Sequence, residues 1–162
     1  MFLAELLLIE DIDLKIEMKH YFDEVSHKYF SEYVGKFPYP KFVVRTTKSR
    51  LGQFNPDKNE IIVNGLVSLE GLKKTVWHEA LHYYEWWVIY DGGKNKQVVP
   101  RWGSIPKGGH GQFFVDAMNQ INSKEGNLII YLKGTADELD MNAVRQYNAA
   151  KAAKEKSMGL GL

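Results

Sequence analysis

The stretch Thr75-Val76-Trp77-His78-Glu79-Ala80-Leu81-His82-Tyr83-Tyr84 decides how the rest of the chain is read. Its apolar residues recur at helical spacing. With Val76 at zero and roughly 100° per residue, Val76, Trp77, Ala80, Tyr84, Trp87 and Val88 fall between about 0° and 120°, and Leu81 near 140°. His78 then falls near about 200°, Glu85 near about 180° and His82 near about 240°. A helix predicted from Leu72 to Tyr90, stopped by Asp91-Gly92-Gly93, thus buries one broad stripe and turns two histidines to another side. A helix lying between a core and a cleft has this pattern.

Upstream, Ile12, Ile16, Tyr21, Phe22, Val25, Tyr29 and Phe30 predict a helix over residues 11–34, ended by Gly35, Pro38 and Pro40. The apolar start, Met1 to Glu10, predicts a strand or helix turn packed on the core. It has acidic residues inside and after it where a secretory signal has a small-residue cleavage site, and it is too short to span a membrane. Three strands are predicted at Phe42–Thr46, Leu51–Phe54 and Glu60–Asn64, with a turn at Asn55-Pro56-Asp57. They predict a small antiparallel sheet. Downstream come a Gly/Pro/Lys loop over 91–109, a helix from His110 to Asn122, a short strand at Leu128–Tyr131, and a last helix over 136–156 opened by a Thr135/Glu138 capping box. The plan is α+β, one domain over 1–162, with helices dominating. A length of 162 residues suits one core.

The chain has no cysteine. Disulfides, thiolate catalysis, Cys-ligated zinc and iron–sulfur clusters are excluded, and a metal site must use His, Asp, Glu and water. The expected compartment is cytoplasmic, a host's cytoplasm if the source is a phage, with no membrane partner and a monomeric state. The formal net charge of +1 is a sum of unlike parts. Residues 1–35 carry three Lys against eight Asp/Glu, net −5. Residues 36–58 carry six Lys/Arg against one Asp, net +5, and residues 91–110 four against one, net +3. Two basic segments therefore flank the long helix in sequence. They suit a solvated sheet edge, where lysines discourage strand aggregation, or a face for a polyanion.

His78-Glu79-Ala80-Leu81-His82 is an HExxH pattern. Imidazoles at i and i+4 share a helix face one turn apart and can bind one zinc ion. Glu79 is the candidate catalytic base, placed to take the proton of a water acidified at that ion. Residue frequencies give such a pattern by chance in about one comparable chain in a hundred. A catalytic zinc wants three protein ligands and an open position. A further His six residues after His82 is absent, because Val88 stands there, and no Glu occurs between Trp86 and Lys124. His20 and His27 read as ordinary histidines of the first helix. His110 opens a predicted helix between Gly109 and Gly111 and is the first candidate for the third ligand, with Asp116 as the fallback. Glu85 reads as a solvated charge or, second, as an imidazole partner. Tyr83 is a weak candidate for stabilising an oxyanion.

The chain resembles the SprT-like metalloprotease domain of Spartan-type DNA–protein crosslink proteases. Three blocks carry the resemblance: Ser49-Arg50-Leu51-Gly52 through Ile61-Ile62-Val63-Asn64-Gly65-Leu66; Thr75 to His82; and Gly109-His110-Gly111-Gln112-Phe113-Phe114 with Met118, Ile121, Asn122 and Gly126. They cover about residues 48–130. The resemblance implies a zincin-like domain with one catalytic Zn2+ held by His78, His82 and His110, and Glu79 as base. It implies a metalloendopeptidase acting on DNA-bound or DNA-crosslinked proteins, with DNA, single-stranded or at a junction, as partner. Many SprT-like proteins carry a Cys-rich zinc ribbon that engages DNA; this chain has no cysteine and so none. Contacts to nucleic acid then fall to Lys48, Arg50, Lys94, Lys96, Arg101 and Lys107, with Trp102 as a base-stacking residue. The alternative is a nucleic-acid-binding or regulatory module that keeps zinc for structure, with little turnover.

Overall fold

The computed structural model describes residues 3–46, 50–94, 110–126, 130 and 141–157, with side chains from residue 13 onward, Met141 and Ala143 excepted. Helix α1 (Leu3–Tyr29) is followed by strands β1 (Lys41–Arg45), β2 (Gly52–Asn55) and β3 (Glu60–Asn64). Helix α2 (Leu69–Tyr84), helix α3 (Gln112–Glu125) and helix α4 (Met141–Ser157) complete the α+β plan. Helix α1 already starts at Leu3, so the apolar opening is helical and not a strand. Phe30 (φ −130°, ψ 34°) breaks that helix before the predicted end, and Ser31–Tyr33 form a separate 3-10 turn. The predicted strand at Leu128–Tyr131, Ile130 apart, and the Thr135/Glu138 cap lie outside the described residues.

The sheet order is β1-β3-β2, with β3 parallel to β1 and antiparallel to β2. The expected purely antiparallel sheet is thus corrected to a mixed one. The reason lies in β3. Ile61, Ile62 and Val63 are all buried, which demands cover on both faces and a central place. Strands β1 and β2 take the edges, with Lys41, Arg45 and Gln53 exposed. The β2–β3 turn is set by Asn55, whose Oδ1 accepts from the Asp57 N–H at 3.1 Å.

Ser68 opens α2 as N-cap, its hydroxyl accepting from the Gly71 N–H at 2.9 Å. Ser68→Ala is expected to destabilise the protein by about 1 kcal/mol, read as a lower urea midpoint at unchanged slope. Of the predicted stripe, Val76, Trp77, Ala80, Leu81 and Tyr84 are buried, as is Leu72 one turn earlier, while Trp87 and Val88 are half-buried; Met18, Phe22 and Val25 of α1 pack in the same cluster. A second side of α2, carrying Thr75, Glu79 and Tyr83, is buried as well. It faces the sheet. A Cβ at Gly52 of β2 would collide with Thr75 Cγ2 and lie 3.3 Å from Glu79 Cγ, so the glycine lets strand and helix touch. Beyond Tyr84 the helix does not run on to Tyr90 in α-helical phase; Glu85–Ile89 form a π-helical turn.

Candidate metal centre

With its core side against α1 and a second side against the sheet, α2 leaves His78 and His82 on the side approached by α3. Their ring centroids are 5.1 Å apart. His110, two residues before α3, brings its ring to 5.1 Å from His78 and 5.0 Å from His82. The ligand nitrogens of the three lie within 4.8 Å of one another, so this group could hold a metal ion. His110 Nε2 and His78 Nε2 are 3.2 Å apart. Nitrogens bound about 2.0–2.1 Å from one tetrahedral ion stand roughly 3.3 Å apart, so this spacing fits a shared cation. Burial, and then the neighbouring His78 and His110, hold His82 well below the ordinary imidazole range. A neutral ring keeps a lone pair for a metal.

Phe114 is the floor of the site. It is fully buried, and its ring centroid lies 4.8, 4.6 and 4.5 Å from those of His78, His82 and His110. The helical stripe of α3 marks it as a core residue, but its contact with all three imidazoles depends on how α3 docks on α2.

Glu79 is buried beside His78, whose Nε2 lies 4.0 Å from its Oε1. Burial pushes the carboxyl up to about 8, against the opposite pull of a hydrogen bond from the Phe54 backbone and the charge of Arg50. That bond has a topological origin. Asn64 N–H donates to Leu51 O, and the alternation along β2 and β3 then makes Phe54 and Ile61 a non-hydrogen-bonded pair. The Phe54 N–H points to the outer edge of the sheet, where Glu79 accepts it.

Arg50 is exposed and bears electrostatically on Glu79, which places it near the centre. Lys94 is exposed after the short turn Asp91–Gly93. Lys48, Lys96, Arg101, Trp102 and Lys107 lie outside the described residues. His20 and His27 are exposed on α1, His20 being 3.7 Å from Glu24. Asp116 is exposed and accepts from Gln112 Nε2 at 2.7 Å; it is not in the cluster. Two readings are corrected. Tyr83 donates its hydroxyl to Pro38 O at 2.7 Å, so that group is spent on the backbone. Glu85 is not a solvated charge: it is 4% exposed and accepts from the Phe114 N–H at 3.3 Å.

No protein-family model, no curated protein and no solved structure matched this chain. Among the described residues no helix is long and apolar enough to cross a membrane.

Proposed function

We propose that this chain is a zinc-dependent metallopeptidase of the SprT-like kind. The observation that carries the reading is the convergence of His78, His82 and His110 beside a buried carboxylate, Glu79. The three imidazoles would hold zinc. A bound zinc supplies a Lewis acid that polarises a peptide carbonyl and acidifies a water. Glu79 takes a proton from the attacking water and delivers it to the leaving nitrogen. Its surroundings suit both halves of that task. Burial favours the protonated carboxyl, while the Phe54 N–H and Arg50 stabilise the ionised one, so neither form is prohibitive. The same Phe54 N–H fixes the carboxylate at the edge of β2. Phe114 packs against all three imidazoles and holds their rings in place between α2 and α3.

The substrate class proposed is protein bound on or crosslinked to DNA. Arg50 and Lys94, together with Lys48, Lys96, Arg101 and Lys107, would meet phosphates, and Trp102 an unpaired base. A second reading, a nucleic-acid-binding module with a structural zinc, is favoured by one observation: the cluster links α2 to the start of α3, as a staple would. Against it, structural zinc sites are usually closed by four protein ligands, and the described residues supply three. Purified, zinc-loaded protein is expected to cleave casein in a reaction abolished by a chelator, restored by zinc and stimulated by single-stranded DNA. Salt-sensitive DNA binding with zinc present and no cleavage of any protein would establish the module instead.

A further inference from the structure

His110 is separated from the HExxH pair by 28 residues, and something must hold it there. Its neighbour Gly111 is the N-cap of α3 and makes no side-chain capping bond. The first N–H groups of a helix need acceptors. The acceptor here comes from α2's end. Glu85, three residues after His82 and first in the π-helical turn, sends its carboxylate under the start of α3, where Oε2 takes the Phe114 N–H at 3.3 Å. A carboxylate at that end also suits the helix dipole. Gly111 has φ −80° and ψ −178°, a conformation open to any residue, so its backbone does not call for glycine. Space does: a Cβ there would lie 2.9 Å from Glu85 Oε2.

We propose that Glu85 is the positioning residue of the third ligand, a buried acceptor that locks the start of α3 to the end of α2 and thereby sets His110 against His78 and His82. The glycine after His110 is the space this carboxylate occupies. The proposal rests on the reading of the three histidines as a metal site. It links the π-helical turn to that site, because the turn's first residue supplies the carboxylate.

The test compares zinc affinity, by competition with a chromophoric chelator, and the visible spectrum of the cobalt(II)-loaded protein, in Glu85→Ala, Glu85→Gln, Gly111→Ala and His110→Ala. Glu85→Ala is expected to weaken zinc about 10–100-fold, the range for partners that orient ligands, and to alter the cobalt spectrum. Glu85→Gln retains an oxygen acceptor for the Phe114 N–H and is expected to restore most of both. Gly111→Ala, which keeps the carboxylate but crowds it, is expected to weaken zinc too. In a His110→Ala background Glu85→Ala is expected to cost nothing further. Wild-type affinity and spectrum in Glu85→Ala, or losses that simply add to that of His110→Ala, overturn the proposal while leaving the metal site standing. Wild-type affinity in His110→Ala overturns the metal-site reading and the proposal with it. If Glu85→Ala does not fold, Gly111→Ala decides, and unchanged affinity there overturns the proposal.

Discussion

Glu79→Gln is expected to bind zinc as well as the wild type, to lose peptide cleavage by about 10²–10⁴-fold, the usual worth of a positioned acid–base group, and to unfold at a higher temperature than the wild type when both are metal-free. The first two follow from chemistry: the amide keeps the shape and accepts from the Phe54 backbone but cannot take a proton. The third follows from burial. Glu79 is pushed up to about 8 in the folded protein, chiefly by loss of solvent, from a value near 4.5. Below the lower value both states are protonated and the folded protein loses nothing. As pH rises from there towards 8, the unfolded chain ionises while the folded one keeps its proton, so this group's contribution to stability falls. Metal-free wild type should therefore lose stability between about pH 5 and 8, on the linkage of this one group, and Glu79→Gln should lack that component. A cation among the histidines favours the ionised carboxylate and flattens the difference. Thermal unfolding in chelator across this range, with and without the substitution, reads the effect. Undiminished, chelator-sensitive cleavage by Glu79→Gln would sink the mechanism.

Such a carboxylate is a stability cost kept at a site, and it shows which parts of this molecule were open to reading from sequence. The core stripe of α2 was, because five apolar residues at one helical period have a single place to go. The three histidines were, because two are fixed by that same period and the third stands at a helix start. The burial of Thr75, Glu79 and Tyr83 was not. Those side chains have polar heads; the close approach of β2 at Gly52 covers Thr75 and Glu79, while Phe22, Phe54 and the Pro38 carbonyl take Tyr83. The parallel pairing of β1 with β3 was missed for a related reason. Strand propensity marks Ile61-Ile62-Val63 as a strand, but its central place is settled by what covers it on both faces. Glu85 falls on the histidines' side of the helix, as a wheel of constant period predicts, but a wheel does not show what covers that side. The start of α3 covers it, and the carboxylate's acceptor role exists only once α3 is docked. Trp87, placed on the stripe by the same wheel, instead lies half-buried and donates its indole N–H to Asn59 Oδ1 at 3.1 Å.

His110→Ala carries the largest expected effect on the metal. His78 and His82 lie on one helix and supply two ligands; neither Asp116 nor any other His, Asp or Glu among the described residues joins them in the cluster. Removing a ligand outright should exceed the loss from removing a partner that merely orients one, so zinc affinity is expected to fall by more than about 100-fold. The consequence for folding follows from mass action. A ligand at about 1,000 times its dissociation constant stabilises the folded state by about 4 kcal/mol; after a hundredfold loss the same zinc gives about 1.4 kcal/mol. Zinc should thus raise the unfolding temperature of the wild type strongly and that of His110→Ala weakly. The metal-free proteins should differ much less, because the lost side chain is half-buried and Phe114, Glu85 and the start of α3 are left in place. That contrast separates a lost ligand from a damaged fold. Elemental analysis after exhaustive dialysis is the second measure. Stoichiometric zinc retained by His110→Ala, with a wild-type rise in unfolding temperature, would remove His110 from the site and leave the HExxH pair in need of another third ligand.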